Sequence, residues 1–362
     1  MRPRLRDVAE LAGVHPATAS RALNEHTRSR LSPETVARVL AAAAELSYSP
    51  NQMAQGLATN KSSTIGVIVG DLSVPLFPPV LLGIDDVMSQ AGYTALIVNT
   101  DNDRERELAR LATLRSRQVD GLIVATALTG PEAENDKYPA VAPTVFVVRT
   151  PNEAGAASVL SDDSAGMHAV IEHLYALGHR RIAHVAGPAN ISTSVARLRA
   201  YREALFERDL PMDPALIATV DHLSADAGAA GLASLLDSGT QFTAVVAFND
   251  LLAYGCYRTM RDRGLYCPQD ISVVGYSDQN GSDLVSPALT TVKVDHYTMG
   301  AEAARMLLGI LRAPDDPRRH SIRVPVSLTV RDSTTTARSG TWPAATSSLD
   351  APPSSGFRQR PA

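Results

Sequence analysis

The stretch "ELAGVHPATASRALNEH", residues 10–26, decides how the first fifty residues fold. Leu11 and Ala12 close one short apolar run, and Gly13 breaks it. Pro16 then opens a second run, where its missing N–H is no loss because the first helical N–H has no partner in any case. Ala19, Ala22 and Leu23 recur at helical spacing and are expected to face a core. Pro16, Ala17, Ser20, Arg21 and Asn24 share the opposite face, an exposed strip of small and polar residues around one arginine.

On either side of that stretch the pattern stays helical. The preceding segment is expected to carry Val8 and Leu11 inward and to stop near Gly13. Downstream, Ser32-Pro33 reads as an N-cap followed by a first-turn proline, and Val36, Val39, Leu40, Ala43 and Leu46 follow at helical spacing. Helix, tight turn, helix and supporting helix is the arrangement that seats a second helix in a DNA major groove. Charge agrees in direction. Residues 1–61 hold 8 Lys+Arg against 5 Asp+Glu, a balance of +3, and the rest of the chain carries −7. A basic module on an acidic body suits a chain that touches a polyanion with its N-terminal part alone.

The next segment, "YSPNQMAQGLATNKSST" (48–64), is polar and punctuated by Pro50 and Gly56. It reads either as an interdomain linker or as a short helix that forms only against a partner able to bury Met53 and Leu57.

From Ile65 strands and helices alternate. "IGVIVG", "TALIVN", "GLIVAT" and "TVFVV" are separated by helical stretches near 79–91 and 104–118. "RIAHVAG", "AVVAF", "ISVVGY" and "TTVKV" follow, with helices near 165–177, 196–209, 226–237 and 250–263. Such repetition predicts parallel sheets covered on both faces. Two sets imply two similar lobes with a cleft between them, ligands binding at the carboxyl ends of the strands. From about Ser333 the chain is rich in Ser, Thr, Pro, Ala and Gly, and disorder is expected.

Other function classes find little support. No apolar run approaches the ~18 residues of a membrane span. The start, "MRPRLRDVAELAG", lacks the continuous apolar core of a secretory signal, and Cys256 and Cys267 have neither metal nor redox spacing. A reducing cytoplasm is therefore the expected compartment. No G-x-G-x-x-G after a strand, Walker loop, G-x-S-x-G elbow or H-E-x-x-H helix occurs. The adjacent acids Asp162-Asp163 and Asp315-Asp316 read as solvated, and the nine histidines form no ligand-spaced cluster. No catalytic residue, cofactor or metal is expected.

With these parts in order, the sequence resembles the lactose-repressor/galactose-repressor family of bacterial transcription regulators. "DVAELAGV…ATASRALN" looks like its helix-turn-helix and "LSYSPNQMAQGLA" like its hinge. "IGVIVGDLSVPLF", "VDGLIVA", "HLYALGHRRIAHVAGP", "FNDLLAYG" and "PQDISVVGYSD" look like stretches of its effector domain. The likeness runs from about residue 4 to 332. It implies an all-α helix-turn-helix domain (1–48), a hinge helix and linker (49–63), an α/β two-lobed periplasmic-binding-protein-like effector and dimerisation domain (64–332), and a tail (333–362). It further implies a homodimer that binds a palindromic operator in double-stranded DNA, most simply as a repressor of a carbohydrate or related catabolic operon, and that switches on a small-molecule effector. The rival reading is a small-molecule binding module without a DNA role, and a weaker one an enzyme on the same lobes.

The resemblance also assigns residues. Pro16, Ala17 and Arg21 would enter the major groove, Arg21 bonding a guanine edge. Thr18, Ser20 and Asn24 would hold phosphates and fix register. His15 stands where relatives carry a small hydroxyl residue, which weakens the N-cap and offers a further DNA contact. In the hinge, roughly Asn51 to Ala58, Leu57 would wedge into a central base step in the minor groove. Phe77, Arg149, Thr193, Arg197, Asn249, Asp250 and Ser277 would line the effector cleft. Ser277 and Val148 replace two frequent acids while Arg149 and Arg197 remain, which favours a sugar acid or phosphosugar. The alternative is a neutral sugar, with Asp278 and Asp162 supplying the lost acceptors.

Overall fold

A computed structural model describes residues 3–48, 62–130, 137–151, 155–313 and 321–338. The N-terminal module is helical: α1 (Leu5–Leu11), α2 (Pro16–Leu23), α3 (Glu25–Arg28) and α4 (Pro33–Glu45). Its core is Val8, Ala9, Ala12, Ala19, Ala22, Val39, Ala42 and Ala43, small side chains that let the helices pack closely. Two expectations fail here. Leu11 is 48% exposed and Leu40 39% exposed, because the faces turned inward run Val8-Ala9-Ala12 and Val39-Ala42-Ala43. Gly13, at φ +64, makes the left-handed exit from α1 that a side chain resists. The short α3, which the sequence pattern does not announce, returns two bonds to α2: Thr27 Oγ1 donates to the Arg21 carbonyl at 3.0 Å, and Arg28 Nε to the Ala22 carbonyl at 3.3 Å. Carbonyls that a helix end leaves without partners are thereby satisfied.

Beyond this module the chain forms two compact units, with its main crossings after Leu160, Asp295 and Ile322. The first unit contains β1 (Thr64–Val69), α5 (Phe77–Gln90), β2 (Thr94–Asn99), α6 (Arg104–Ser116), β3 (Gly121–Val124), β4 (Thr144–Val147), β5 (Ser158–Ser161), α11 (His296–Arg312) and β11 (Ser321–Val324). Its strand order is β11-β5-β4-β3-β1-β2. The pairings within β2-β1-β3-β4-β5 are parallel.

The second unit contains α7 (Asp163–Ala176), β6 (Ile182–Ala186), α8 (Ser192–Phe206), β7 (Ile217–Thr219), α9 (Ala225–Asp237), β8 (Ala244–Ala247), α10 (Asp250–Asp262), β9 (Ser272–Ser277), β10 (Thr290–Val294) and β12 (Val326–Thr329). The order is β12-β10-β9-β8-β6-β7. All pairings are parallel except β12 on β10.

Every apolar run singled out in the sequence is a strand. β3, β6, β8 and β9 are buried along their whole length, as a sheet covered on both faces requires. Glycines permit the closest helix contacts. A Cβ on Gly83 of α5 would lie 2.2 Å from the Tyr297 carbonyl oxygen of α11, and one on Gly300 2.0 Å from the Val80 carbonyl oxygen.

The tail boundary at Ser333 is too early. Ser333 is fully buried, its hydroxyl donating to the Val273 carbonyl at 2.6 Å and accepting from the Thr290 N–H at 2.8 Å. Ala337 N–H donates to the Leu177 carbonyl, and Arg338 pairs with Asp270. Residues 333–338 thus lie along the second unit, held by Ser333 on its backbone, by Thr334 on the His173 side chain and by Arg338 on Asp270.

Candidate DNA-reading face and ligand-binding cluster

In α2 the inward residues Ala19 and Ala22 are fully buried, while His15, Pro16, Ala17, Ser20 and Arg21 are exposed together. Thr18 and Asn24 flank this strip half-buried. The N-cap is occupied after all: His15 Nδ1 accepts the Ala17 N–H at 3.2 Å. An imidazole that accepts at Nδ1 carries its proton on Nε2, so His15 presents a donor at the start of α2. Asn51 and Leu57 lie outside the described residues.

In the first unit Phe77 is the buried first residue of α5. Arg149 follows β4, and burial pushes its guanidinium down to about 10, an effect that Glu107 opposes. Glu107 is itself buried; it accepts from Thr126 Oγ1 at 2.7 Å and from the Tyr138 hydroxyl, and pairs with Lys137 at 3.5 Å. Burial and the Glu107 carboxylate together raise the Tyr138 hydroxyl far above its ordinary range. Between β4 and Arg149, Val148 sits at φ +66 with Arg149 N–H donating to the Val147 carbonyl at 2.7 Å. This is a tight γ-turn around a β-branched residue, a strained geometry.

In the second unit the carboxyl ends of β6, β8 and β9 gather Thr193, Arg197, Asn249, Asp250 and Ser277, all buried. Arg197 Nε donates to Asp163 Oδ1 at 3.0 Å and Nη1 to the Phe248 carbonyl at 2.7 Å. Its guanidinium carbon lies 3.6 Å from the Tyr276 ring centroid and 4.7 Å from that of Phe248. The reading of Asp162-Asp163 as solvated is therefore wrong. Asp163 is the buried counter-ion of Arg197 and also accepts from Ser161 Oγ; Asp162 accepts the Ala165 N–H as the cap of α7.

This pairing weakens the case for an anionic ligand, since Arg197 is not a spare guanidinium. Arg197 is matched by Asp163 within its own unit, whereas in the other Glu107 faces both Lys137 and Arg149. Asp278 pairs with Arg331 at 2.7 Å, and like Asp162 it is engaged through one carboxylate oxygen, Oδ1.

Asn249 Oδ1 accepts the Leu252 N–H at 3.0 Å and caps α10. Asp250 is a brace: Oδ1 accepts from Thr291 Oγ1 at 2.6 Å, and Oδ2 from Gln279 N–H at 2.7 Å and Ser282 Oγ at 3.1 Å. Burial raises its carboxyl above the usual range while these bonds oppose the rise. Ser277 stands at φ +116. Both positions where an acid had been expected, 148 and 277, thus lie at left-handed kinks ending a strand. Among the described residues no cluster of His, Cys, Asp or Glu is placed to hold a metal ion, and no helix is long and apolar enough to cross a membrane.

A capped helix-turn-helix ahead of two parallel α/β units, each with polar residues at its strand ends, defines a DNA-binding transcription regulator with an effector-binding body. The model for bacterial regulatory proteins of the lacI family matches residues 4–51, and that for a periplasmic binding protein-like domain matches residues 171–334. The ribose operon repressor of Bacillus subtilis is 34% identical over 331 residues, covering 91% of this chain and 98% of the relative. The regulator GalR of Salmonella typhimurium is 31% identical over 333 residues, covering 89% and 96%. Among solved structures, the lac repressor dimer bound to operator and the anti-inducer ONPF superimposes with a TM-score of 0.80 at 30% identity, over 92% of this chain and all of that one. A CelR–cellobiose complex gives 0.70 at 28% identity, with 92% and 100% covered. The chain belongs to the lacI family of bacterial regulatory proteins.

Proposed function

We propose that this chain is the homodimeric repressor of a carbohydrate operon, that it reads a palindromic operator through α2, and that a neutral, hydroxyl-rich effector changes its operator affinity. The observation that carries the DNA half is Arg21, exposed in the middle of a strip of small residues on a capped helix. A guanidinium so placed can bond guanine O6 and N7 together, while Ser20, Thr18 and Asn24 hold phosphates and His15 adds a donor at the helix start. Asn51 and Leu57 complete the reading as minor-groove contacts. A two-fold dimer presents two such helices about one DNA turn or more apart, which gives an operator of roughly 14–20 base pairs. The relatives named for ribose and cellobiose, and the dimeric state of the lac repressor on its operator, support the sugar and dimer readings by kinship. The internal neutralisation of Arg197 by Asp163 favours a neutral ligand over an anionic one.

The test is a mobility-shift assay on fragments of the source genome at moderate salt, repeated with a panel of neutral sugars and their acid and phosphate forms. Sequence-selective binding that one neutral sugar alters is expected. An absence of selective binding overturns the DNA reading, and a response to the anionic forms alone overturns the effector class.

A further inference from the structure

We propose that Gln279 is the residue through which the second unit reads the hydroxyls of its effector, with the Ser194 hydroxyl as its companion; this rests on the effector reading above. Gln279 follows Ser277 and Asp278 at the carboxyl end of β9. Its backbone is fully committed, the N–H to Asp250 Oδ2 at 2.7 Å and the carbonyl to the Ser282 N–H at 3.0 Å. Its side chain is 6% exposed, yet among the described residues neither Oε1 nor Nε2 has a hydrogen-bond partner. Ser194 Oγ is in the same condition: the residue is 3% exposed and the oxygen has no partner. Ser194 occupies the first turn of α8, one turn before Arg197, against Gly187 at the end of β6, where a Cβ would meet its Oγ at 2.5 Å.

Buried amides and hydroxyls are nearly always satisfied, because leaving one unpaired forfeits its hydration without return. Two such side chains at the strand ends of one sheet, where parallel α/β sheets take their ligands, mark groups kept for an outside partner. Their chemistry specifies that partner. A carboxamide offers an acceptor and a donor side by side, the complement of neighbouring hydroxyls that each donate and accept. A carboxylate or phosphate could engage only the Nε2 donors and would leave Oε1 without a partner. The ligand is thus a neutral vicinal diol, with Gln279 doing the work expected of an acid at Ser277. The sequence held the residue in plain view within "VVGYSDQN", but a glutamine in a loop carries no signal until its burial is known.

The test separates this role from a structural one. Thermal melts are run on the full chain without ligand and with a panel of neutral sugars (ribose, galactose, glucose, cellobiose), for the parent protein, Gln279→Met and Ser194→Ala. If the two side chains are kept unpaired for a ligand, each replacement raises the melting temperature of the ligand-free protein, by about 2–4 °C for Gln279→Met. The shift caused by the responding sugar is then lost, with its dissociation constant rising tenfold or more. A fall in the ligand-free melting temperature of Gln279→Met shows that the amide braces the fold and overturns the proposal. An unchanged sugar response in both variants overturns it equally. If no sugar shifts the parent protein, the neutral-sugar reading of the function fails separately, and the ligand-free melts still decide whether Gln279 is unpaired.

Discussion

Arg197 and Asp163 meet at 3.0 Å with side chains 7% and 3% exposed, which makes them a buried ion pair between the first turn of α7 and the second turn of α8. Removing one member strands the other in a poor solvent, at a cost of about 3–5 kcal/mol. Arg197→Met and Asp163→Leu should each reduce stability by that order in urea titration. The double variant should cost clearly less than the two together, a coupling that a double-mutant cycle reads directly. Additive losses would show that the two charges do not sense each other.

Arg21 is expected to read one guanine per half-site. Arg21→Ala should lose about 1–3 kcal/mol of operator binding and relax preference at that base pair alone. Ser20→Ala, at a phosphate contact, should weaken all sequences alike. Selection of binding sites from a randomised duplex, run with each variant, distinguishes the two patterns. Unchanged base preference in Arg21→Ala would remove Arg21 from the groove.

His184 gives the stability a pH dependence. It is fully buried, its Nδ1 bonded to the Val246 carbonyl at 2.8 Å and its ring stacked on Tyr201 with centroids 5.0 Å apart. Nε2 has no partner. Burial lowers its pKa from 6.5 to about 4. Between those values the unfolded chain binds a proton that the folded chain refuses. The contribution is therefore full above pH 6.5 and fades as pH falls towards 4, by about 3 kcal/mol in all. His173 and His179, also lowered by burial, act in the same direction. Urea midpoints at pH 7.5 and 4.5 should drop less in His184→Leu than in the parent; equal drops would exclude His184 as a source.

Two glycines of the first unit should respond oppositely to alanine. Gly83→Ala forces a Cβ to 2.2 Å from the Tyr297 carbonyl oxygen, an overpacking that costs about 1–3 kcal/mol. Gly309→Ala, on the exposed side of α11 with nothing within 4 Å, should add about 0.5–1 kcal/mol by restricting the unfolded chain. Thermal melts of the two variants moving the same way would contradict the close approach of α5 and α11.

Much of the fold was legible because long parallel strands are continuous apolar runs and their helices are amphipathic. What escaped was short or at a sheet edge. β7 has three residues, β5, β11 and β12 have four each, and "SIRV" and "VSLT" mix polar and apolar residues as a half-exposed strand does. α11 follows two complete sets of strands and helices, so the recurrence of Met299, Ala303 and Leu307 at its buried face stands outside the alternating pattern. At the strand ends Arg197 was visible as a type of residue, but its partner lies 34 residues away in sequence. No local pattern distinguishes a paired guanidinium from a waiting one, so a charge argument from the sequence counts Arg197 without its counter-ion.

The strand β12 closes the second sheet by lying antiparallel on β10, yet it is synthesised after α11 and β11 of the other unit, as is the Ser333 segment that stitches β9 to β10. Neither unit is a continuous stretch of gene. A single recombination event can replace the helical module and redirect the protein to new promoters while leaving its ligand untouched. Exchanging the second unit takes three cuts, after Leu160, Asp295 and Ile322, and Ser161–Asp295 without the β12 segment leaves a raw β10 edge open to pairing with other chains. In this architecture, changing what is regulated is a one-cut operation, whereas a new chemical signal is reached more readily by point substitution at the strand ends.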